Sequence, residues 1–276
     1  MRRSKNVLLH VMLGLAALAF VFPFYFMLIG AFQTEPTTEV GELVPSGGLT
    51  LENFSDINSR IDLVGSLINS AIFTIGVLLG TVTFGLLAGY ATARLRFRGR
   101  GAVFAMMLLV QMVPFQLLMV PLYVLLTRTY GLGDTYLGMI LPFLINTTAV
   151  FIFRQFFLQL PETLFEAARL DGASELRTLW SVALPLVRPA LVTVILVTFI
   201  GPWNEFLWPF LITKEAGMQP LAVALANYIS SVAQSATNPT GAILAGASVL
   251  AFPVVVLFCL FQRYFTSTDV ASGVKG

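Results

Sequence analysis

Six long apolar runs divide the chain: Val7 to Phe32, Leu63 to Ala93, Ala102 to Leu126, Tyr136 to Leu158, Ala190 to Ile212 and Gly241 to Phe261. Each is close to the ~20 residues that a helix needs to cross a hydrocarbon core, so the pattern predicts an all-α membrane protein with six transmembrane helices in one domain over residues 1–276. The connectors differ in character. Gln33 to Asp62 is polar and acidic, Arg94 to Arg100 is a short basic turn, and Thr127 to Thr135 is brief and nearly neutral. Thr213 to Thr240 is polar with a weak apolar stretch around Leu221 to Ala226. Residues 160–189 form the longest charge-bearing interruption of the C-terminal half. This segment reads as two short helices broken at Asp171 and Gly172. Pro161 suits a first helical turn, Glu162 complements the helix dipole there, and Gly172 fits the left-handed geometry that closes a helix. Ala173, Leu176, Leu179, Trp180 and Ala183 recur at helical spacing, which predicts one apolar face on the second helix.

Charge gives the orientation. Only 11% of the residues are charged and 57% are hydrophobic, against roughly 25% charged in a soluble domain. Lys and Arg are distributed 13 to 3 in favour of the side that holds the N-terminus (Arg2, Arg3, Lys5), the turn Arg94 to Arg100, the helix-pair region with Arg154, Arg169, Arg177 and Arg188, and the C-terminus. The positive-inside rule therefore predicts that both termini and the 160–189 segment face the cytoplasm. The initial run is too long for a signal-peptide core of about 7–15 residues, so an uncleaved first span is expected. The cluster RLRFRGR at Arg94 to Arg100 reads as a topology determinant touching lipid headgroups, and nothing in its position favours nucleic acid.

Candidate chemistry is sparse. No phosphate loop, HExxH, CxxC or GxSxG occurs. One cysteine, Cys259, and one histidine, His10, leave no multi-Cys metal site and no motif that needs two histidines. What remains is polar residues inside apolar runs, where they are costly and concentrate at functional positions. The fifth run holds Trp203, Asn204 and Glu205 after a Gly201-Pro202 weak point. In an unbroken helix Gly201, Asn204 and Glu205 share a face that Trp208 continues. Gln111 and Gln116 in the third run and Asn146 in the fourth add amides beside prolines. Two readings stay open for all six of Gln111, Gln116, Asn146, Trp203, Asn204 and Glu205: they line a translocation path, or they clasp helices together.

The segment around Gly172 resembles the EAA loop of binding-protein-dependent ABC importers, with Glu166, Ala167, Ala168, Gly172, Val182, Leu184 and Pro185 at the motif's positions. RLRFRGR, Gly131 to Tyr136, WNEF at Trp203 to Phe206, TLENF at Thr50 to Phe54 and the terminal GVKG are similar to one subgroup, the smaller six-span permease of maltose-type carbohydrate importers. The resemblance implies a type I importer permease without its own ATPase site. It implies a second permease as heterodimer partner, two ATPase subunits that bind ATP and magnesium, and an extracytoplasmic solute-binding protein. It also implies that Glu166, Ala167, Ala168, Arg169, Asp171, Gly172, Leu184 and Pro185 meet the ATPase, and that the chain sits in the cytoplasmic membrane of a prokaryote. An ion-coupled secondary carrier is the alternative, with Glu205 as its one acidic relay candidate.

Overall fold

The computed structural model describes residues 2–36, 48–232 and 238–266, with side chains from 9 to 36, 48 to 230 and 238 to 262. The tail GVKG lies outside the described residues. In chain order the helices are α1 (Arg2–Ala31), α2 (Glu52–Ile61), α3 (Leu63–Arg94), α4 (Arg100–Gln111), α5 (Phe115–Val124), α6 (Tyr136–Ile140), α7 (Thr147–Gln159), α8 (Glu162–Leu170), α9 (Glu175–Thr178), α10 (Leu184–Leu186), α11 (Arg188–Asn204), α12 (Leu207–Ile212), α13 (Leu221–Asn227) and α14 (Pro239–Thr266). Short π turns at Leu125–Thr129, Leu179–Ala183 and Tyr228–Val232 extend α5, α9 and α13. Among the described residues the one β pairing is an isolated bridge between Gln33 and Leu49.

Among the described residues three helical segments are each long and apolar enough to cross a membrane: Leu9–Ala31 within α1, α3 and Pro239–Gln262 within α14. Three bent pairs bring the total to six if each is one span. The third predicted span is not a continuous helix. Met112, Val113 and Pro114 interrupt it, and the halves meet at 91°. Pro114 has no N–H to give and takes an extended ψ of 129°. The fourth bends by 48° before Asn146. The predicted fifth span also breaks, because α11 stops at Asn204.

Two compact units are present. One holds residues 1–67 and 221–256. Its core gathers Ala31, Ile57, Leu63, Leu221, Tyr228, Ala242 and Ala245. The predicted TLENF motif has a physical role here: buried Asn53 donates from Nδ2 to the carbonyls of Ala31 at 3.0 Å and Gln33 at 2.8 Å. Asn238 donates to Asn53 Oδ1 at 3.0 Å and caps Gly241 N–H at 3.0 Å, so one amide pair secures the end of α1, the start of α2 and the start of α14.

The other unit, residues 68–220 and 257–276, carries the segments of interest. Its first cluster joins Tyr90 and Leu86 of α3, Phe153 and Phe157 of α7, Phe165 of α8, Leu179 and Ala183 of the following turn, and Ala190 and Val194 of α11. Its second cluster is built on Phe73, Met119, Met139, Trp208 and Ile212. Gly131 to Tyr136 ties the latter together. Asp134, at φ 51°, accepts the Lys214 and Glu215 N–H groups, and Tyr136 Oη donates to Asn69 at 2.7 Å.

Helix α3 approaches α7 along glycines. A Cβ on Gly89 would stand 2.7 Å from Phe153 Cβ and 3.2 Å from the Val150 carbonyl oxygen, and one on Gly85 would stand 2.9 Å from Ala149 Cβ. Small residues of this kind let helices pack where apolar solvent supplies no hydrophobic drive. Gly89→Leu is expected to destabilise the protein by about 1–3 kcal/mol through overpacking, read as a lower melting temperature in detergent. Gly14→Leu, with nothing within 4 Å of the added Cβ, should leave it unchanged.

Candidate functional site

The EAA segment is shaped by its caps. Pro161 takes an extended ψ of 137° and starts α8, with Glu162 in the first turn. Phe165 and Ala168, three residues apart, turn inward and are buried. The helix closes in a Schellman arrangement: Ala173 N–H donates to the Ala168 carbonyl at 2.9 Å and Gly172 N–H to the Arg169 carbonyl at 3.0 Å. Gly172 sits at φ +75°, which a β-branched residue reaches only with strain. Ser174 then accepts the Arg177 N–H at 3.3 Å and caps α9. The helix continues through the π turn Leu179–Ala183 into Leu184 and Pro185 of α10, and α11 leaves at 81°.

A series of polar contacts fastens this elbow to α3. Tyr90 Oη donates to Glu175 Oε2 at 2.7 Å, and Glu175 Oε1 accepts from Arg169 Nε at 3.4 Å. Arg169 Nη1 lies 3.6 Å from Glu162 Oε1, and Glu162 Oε2 accepts from Arg94 Nη1 at 2.6 Å. Arg94 also donates to the Phe157 carbonyl at 3.0 Å through Nε and to the Phe157 and Leu160 carbonyls through Nη2. Its guanidinium lies 4.2 Å over the Phe165 ring, and its side chain is only 8% exposed. Phe165 in turn packs at 6.3 Å against Tyr90, which meets Phe157 edge-on at 5.4 Å.

Two expectations change here. Arg94 does not point to headgroups; it is drawn inward because the C-terminal carbonyls of α7 need donors. Arg100 likewise donates to the Ala93 and Leu95 carbonyls at 3.4 and 3.3 Å, leaving Arg96 and Arg98 exposed. The predicted apolar face after Gly172 is divided, with Leu179 and Ala183 buried but Leu176 61% and Trp180 52% exposed. At Trp180 the α-helical period fails because the π turn widens it, keeping Leu179 and Ala183 on the buried row; Leu176 lies before that turn, on the exposed side of α9. Glu166 makes no hydrogen bond or ion pair among the described residues, since Arg169 reaches Glu162 and Glu175 instead. Glu166, Ala167, Asp171 and Gly172 are exposed, and Leu170 stands 89% exposed at the elbow. Sequence reasoning missed Tyr90, Arg94, Glu162 and Glu175 as a set. Tyr90 and Arg94 at i,i+4 on one helix face were the available signal.

The polar residues of the apolar runs lie at helix ends. Gln111 ends α4 and donates to Thr148 Oγ1 at 2.8 Å, while Gln116 is exposed. Asn146 caps α7 by accepting Ala149 N–H at 3.2 Å. Trp203 is buried and stacks on Phe199 at 5.4 Å. Asn204 is exposed and donates to the Ile200 carbonyl at 2.9 Å. Glu205 is not helical, so it does not share a helix face with Gly201, Asn204 and Trp208. It adopts ψ 123°, and its Oε1 accepts the Leu207 and Trp208 N–H groups at 3.0 and 3.2 Å, capping α12. Pro202 and Pro209 leave the backbone short of donors around this point. Trp208 turns away, fully buried, and donates to the Gly138 carbonyl at 3.2 Å. The structure does bring Asn146, Gly201 and Glu205 to the wall of one pocket of about 170 Å³, with Thr198, Val77 and Phe143. Glu205→Ala should cost about 1 kcal/mol as a lost cap, seen as a lower melting temperature, whereas Glu205→Gln retains an acceptor and most of the stability.

Comparison with known proteins completes the picture. The family described as binding-protein-dependent transport system inner membrane component matches residues 81–267. The arabinooligosaccharides transport system permease protein AraQ of Halalkalibacterium halodurans is 34% identical over 286 residues, 100% of both chains. The sn-glycerol-3-phosphate transport system permease protein UgpE of Yersinia pestis bv. Antiqua is 32% identical over 277 residues, covering 96% of this chain and 95% of the relative. A chain in the crystal structure of a bacterial ABC transporter involved in the import of the acidic polysaccharide alginate shares the fold, with a TM-score of 0.83 at 23% identity over 95% of this chain and 97% of that chain. The chain therefore belongs to the binding-protein-dependent transport system inner membrane components, the permeases of ABC importers, and has their type I fold.

Proposed function

We propose that the whole chain acts as one permease domain, forming half of the path by which a sugar or sugar-like solute enters the cell. In this reading it pairs with a second permease, is served by an external solute-binding protein and is driven by two ATPase subunits that hold ATP and magnesium. Its termini and the 160–189 segment face the cytoplasm. The observation that carries the proposal is the elbow at Gly172, held from behind by α3 and α7 and presenting the side chains of Glu166, Ala167, Leu170 and Asp171 outward, with no side-chain hydrogen bond or ion pair among the described residues. Leu170, two residues before the left-handed Gly172, is 89% exposed and stands at the tip of this surface. Arg169 acts behind that surface, and Leu184 and Pro185 set the exit toward α11.

The solute class rests on the relatives named for arabinooligosaccharides and sn-glycerol-3-phosphate. Hydroxyl-rich solutes suit the mixed lining around Asn146, Thr198 and Glu205, where amide, hydroxyl and carboxylate groups meet apolar walls. The path reading for Gln111, Gln116, Trp203 and Asn204 stays part of this proposal. The ion-coupled alternative has no support: family membership argues for ATP-driven import, and Glu205 has a structural use as a cap.

Gly172→Val forces a β-branched residue to φ +75°, at a strain of about 1–3 kcal/mol. In proteoliposomes with the cognate permease, ATPases and binding protein, the variant should insert normally and lose ATP-driven uptake. Wild-type uptake by this variant contradicts the docking role.

A further inference from the structure

Tyr90 and Arg94 lie one turn apart on α3, and the polar contacts that leave Tyr90 return to Arg94. The path runs from Tyr90 to Glu175 at the start of α9, to Arg169 at the end of α8, to Glu162 at the start of α8, and back to α3 at Arg94. Each carboxylate uses both oxygens, so each bridges two partners. Each of the three secondary-structure elements is therefore held through at least one ionised group. The circuit encloses Phe165, which has the Arg94 guanidinium 4.2 Å from its ring on one side and the Tyr90 ring 6.3 Å away on another.

We propose that Tyr90, Arg94, Glu162, Arg169 and Glu175 form a closed polar ring that makes the EAA elbow and the inner end of α3 a single rigid piece. They are positioning residues, acting through the elbow and touching neither solute nor nucleotide. The inference rests on the coupling role given to the elbow above and adds the route by which displacement of the elbow leaves it. Apolar packing of Phe165, Leu179 and Ala183 against Tyr90 and Leu86 seats the elbow on α3, but such packing is non-directional and lets the surfaces slide. The ring delivers the elbow's motion to α3, which at 32 residues and ~1.5 Å per residue is about 48 Å long and outreaches the ~30 Å hydrocarbon core. A tilt imposed at its inner end therefore reappears at its far end.

The geometry argues for a mount over a set of incidental surface pairs. Isolated exposed pairs hold little, but here the pairs share members, one guanidinium is nearly excluded from solvent, and it also fills the carbonyls that end α7. Glu162 and Glu175 each sit in a first turn and Arg169 in a last turn, so the helix dipoles reinforce every charge where it is placed.

Tyr90→Phe tests the ring with little risk to folding, because it keeps the aromatic packing with Phe157 and Phe165 and removes only the hydroxyl that closes the circuit. In the reconstituted full transporter, solute moved per ATP hydrolysed should fall about tenfold, the factor expected at the low end for one hydrogen bond to a charged group, while ATP hydrolysis continues. In parallel, spin labels at Leu87→Cys on α3 and Thr163→Cys on α8, with Cys259→Ser, report the mount directly. The label separation should be narrow and equal in nucleotide-free and ATP-bound complexes, and should broaden in Tyr90→Phe. A purely structural role leaves the transport-to-ATP ratio unchanged, which overturns the proposal, as does a label separation that changes between the two states of the unmutated ring. If Tyr90→Phe is silent while Gly172→Val uncouples, the ring fails and the elbow's docking role stands; if Gly172→Val is silent too, the docking role itself fails.

Discussion

The Arg94 guanidinium is the contact on which the arrangement around the elbow depends. It satisfies the carbonyls left open where α7 ends, pairs with Glu162 where α8 begins, and covers the face of Phe165. Removing it would leave the Leu160 carbonyl without this donor, the Phe157 carbonyl with only the Leu160 N–H, and Glu162 without its shortest ion pair, all next to a buried aromatic cluster. The turn from α7 into α8 needs a group that is flat, cationic and able to donate in several directions at once. Lysine offers a point charge and no planar face for Phe165, so arginine is not interchangeable there.

A second constraint comes from the membrane, where an unsatisfied backbone group is costly. The chain breaks its predicted spans three times and fills each break from its own polar residues or proline geometry. Pro114 turns the third run through a right angle, Asn146 caps α7 after the bend in the fourth, and Glu205 caps α12 after the stop in the fifth. Asparagine and glutamate inside an apolar run thus have a local purpose before any solute is considered. The same residues border the pocket of about 170 Å³, so the breaks that need capping also open space between helices.

Much of this was legible in the sequence, at particular places. The apolar runs gave the helices because lipid-facing helices need no polar face to be recognised. The elbow was readable because Gly172 follows a helix with Pro161 and Glu162 at its start, and because the EAA spacing is specific. TLENF and Gly131 to Tyr136 were noticed as motifs, but their reasons lie in contacts between residues far apart in sequence, such as Asn53 with Asn238 and Asp134 with Glu215. Local periodicity misled at Trp180 and at Glu205. A π turn shifts the register of the first, and Pro202 with Pro209 ends the helix that the second was expected to continue. The ring was invisible for the same reason as the amide pair: Arg94 and Glu162 meet only once α3, α7 and α8 are packed.

The central claim is that the exposed elbow receives the ATPase. The most direct measurement places a cysteine at Leu170, the most exposed apolar side chain of the elbow, in an otherwise cysteine-free complex, and applies a short bifunctional crosslinker in native membranes. The account predicts a covalent adduct between Leu170→Cys and an ATPase subunit, absent from the same treatment of Gly14→Cys in the apolar run of α1. Adducts only to lipid, to the other permease or to neither, with the complex intact, would contradict it.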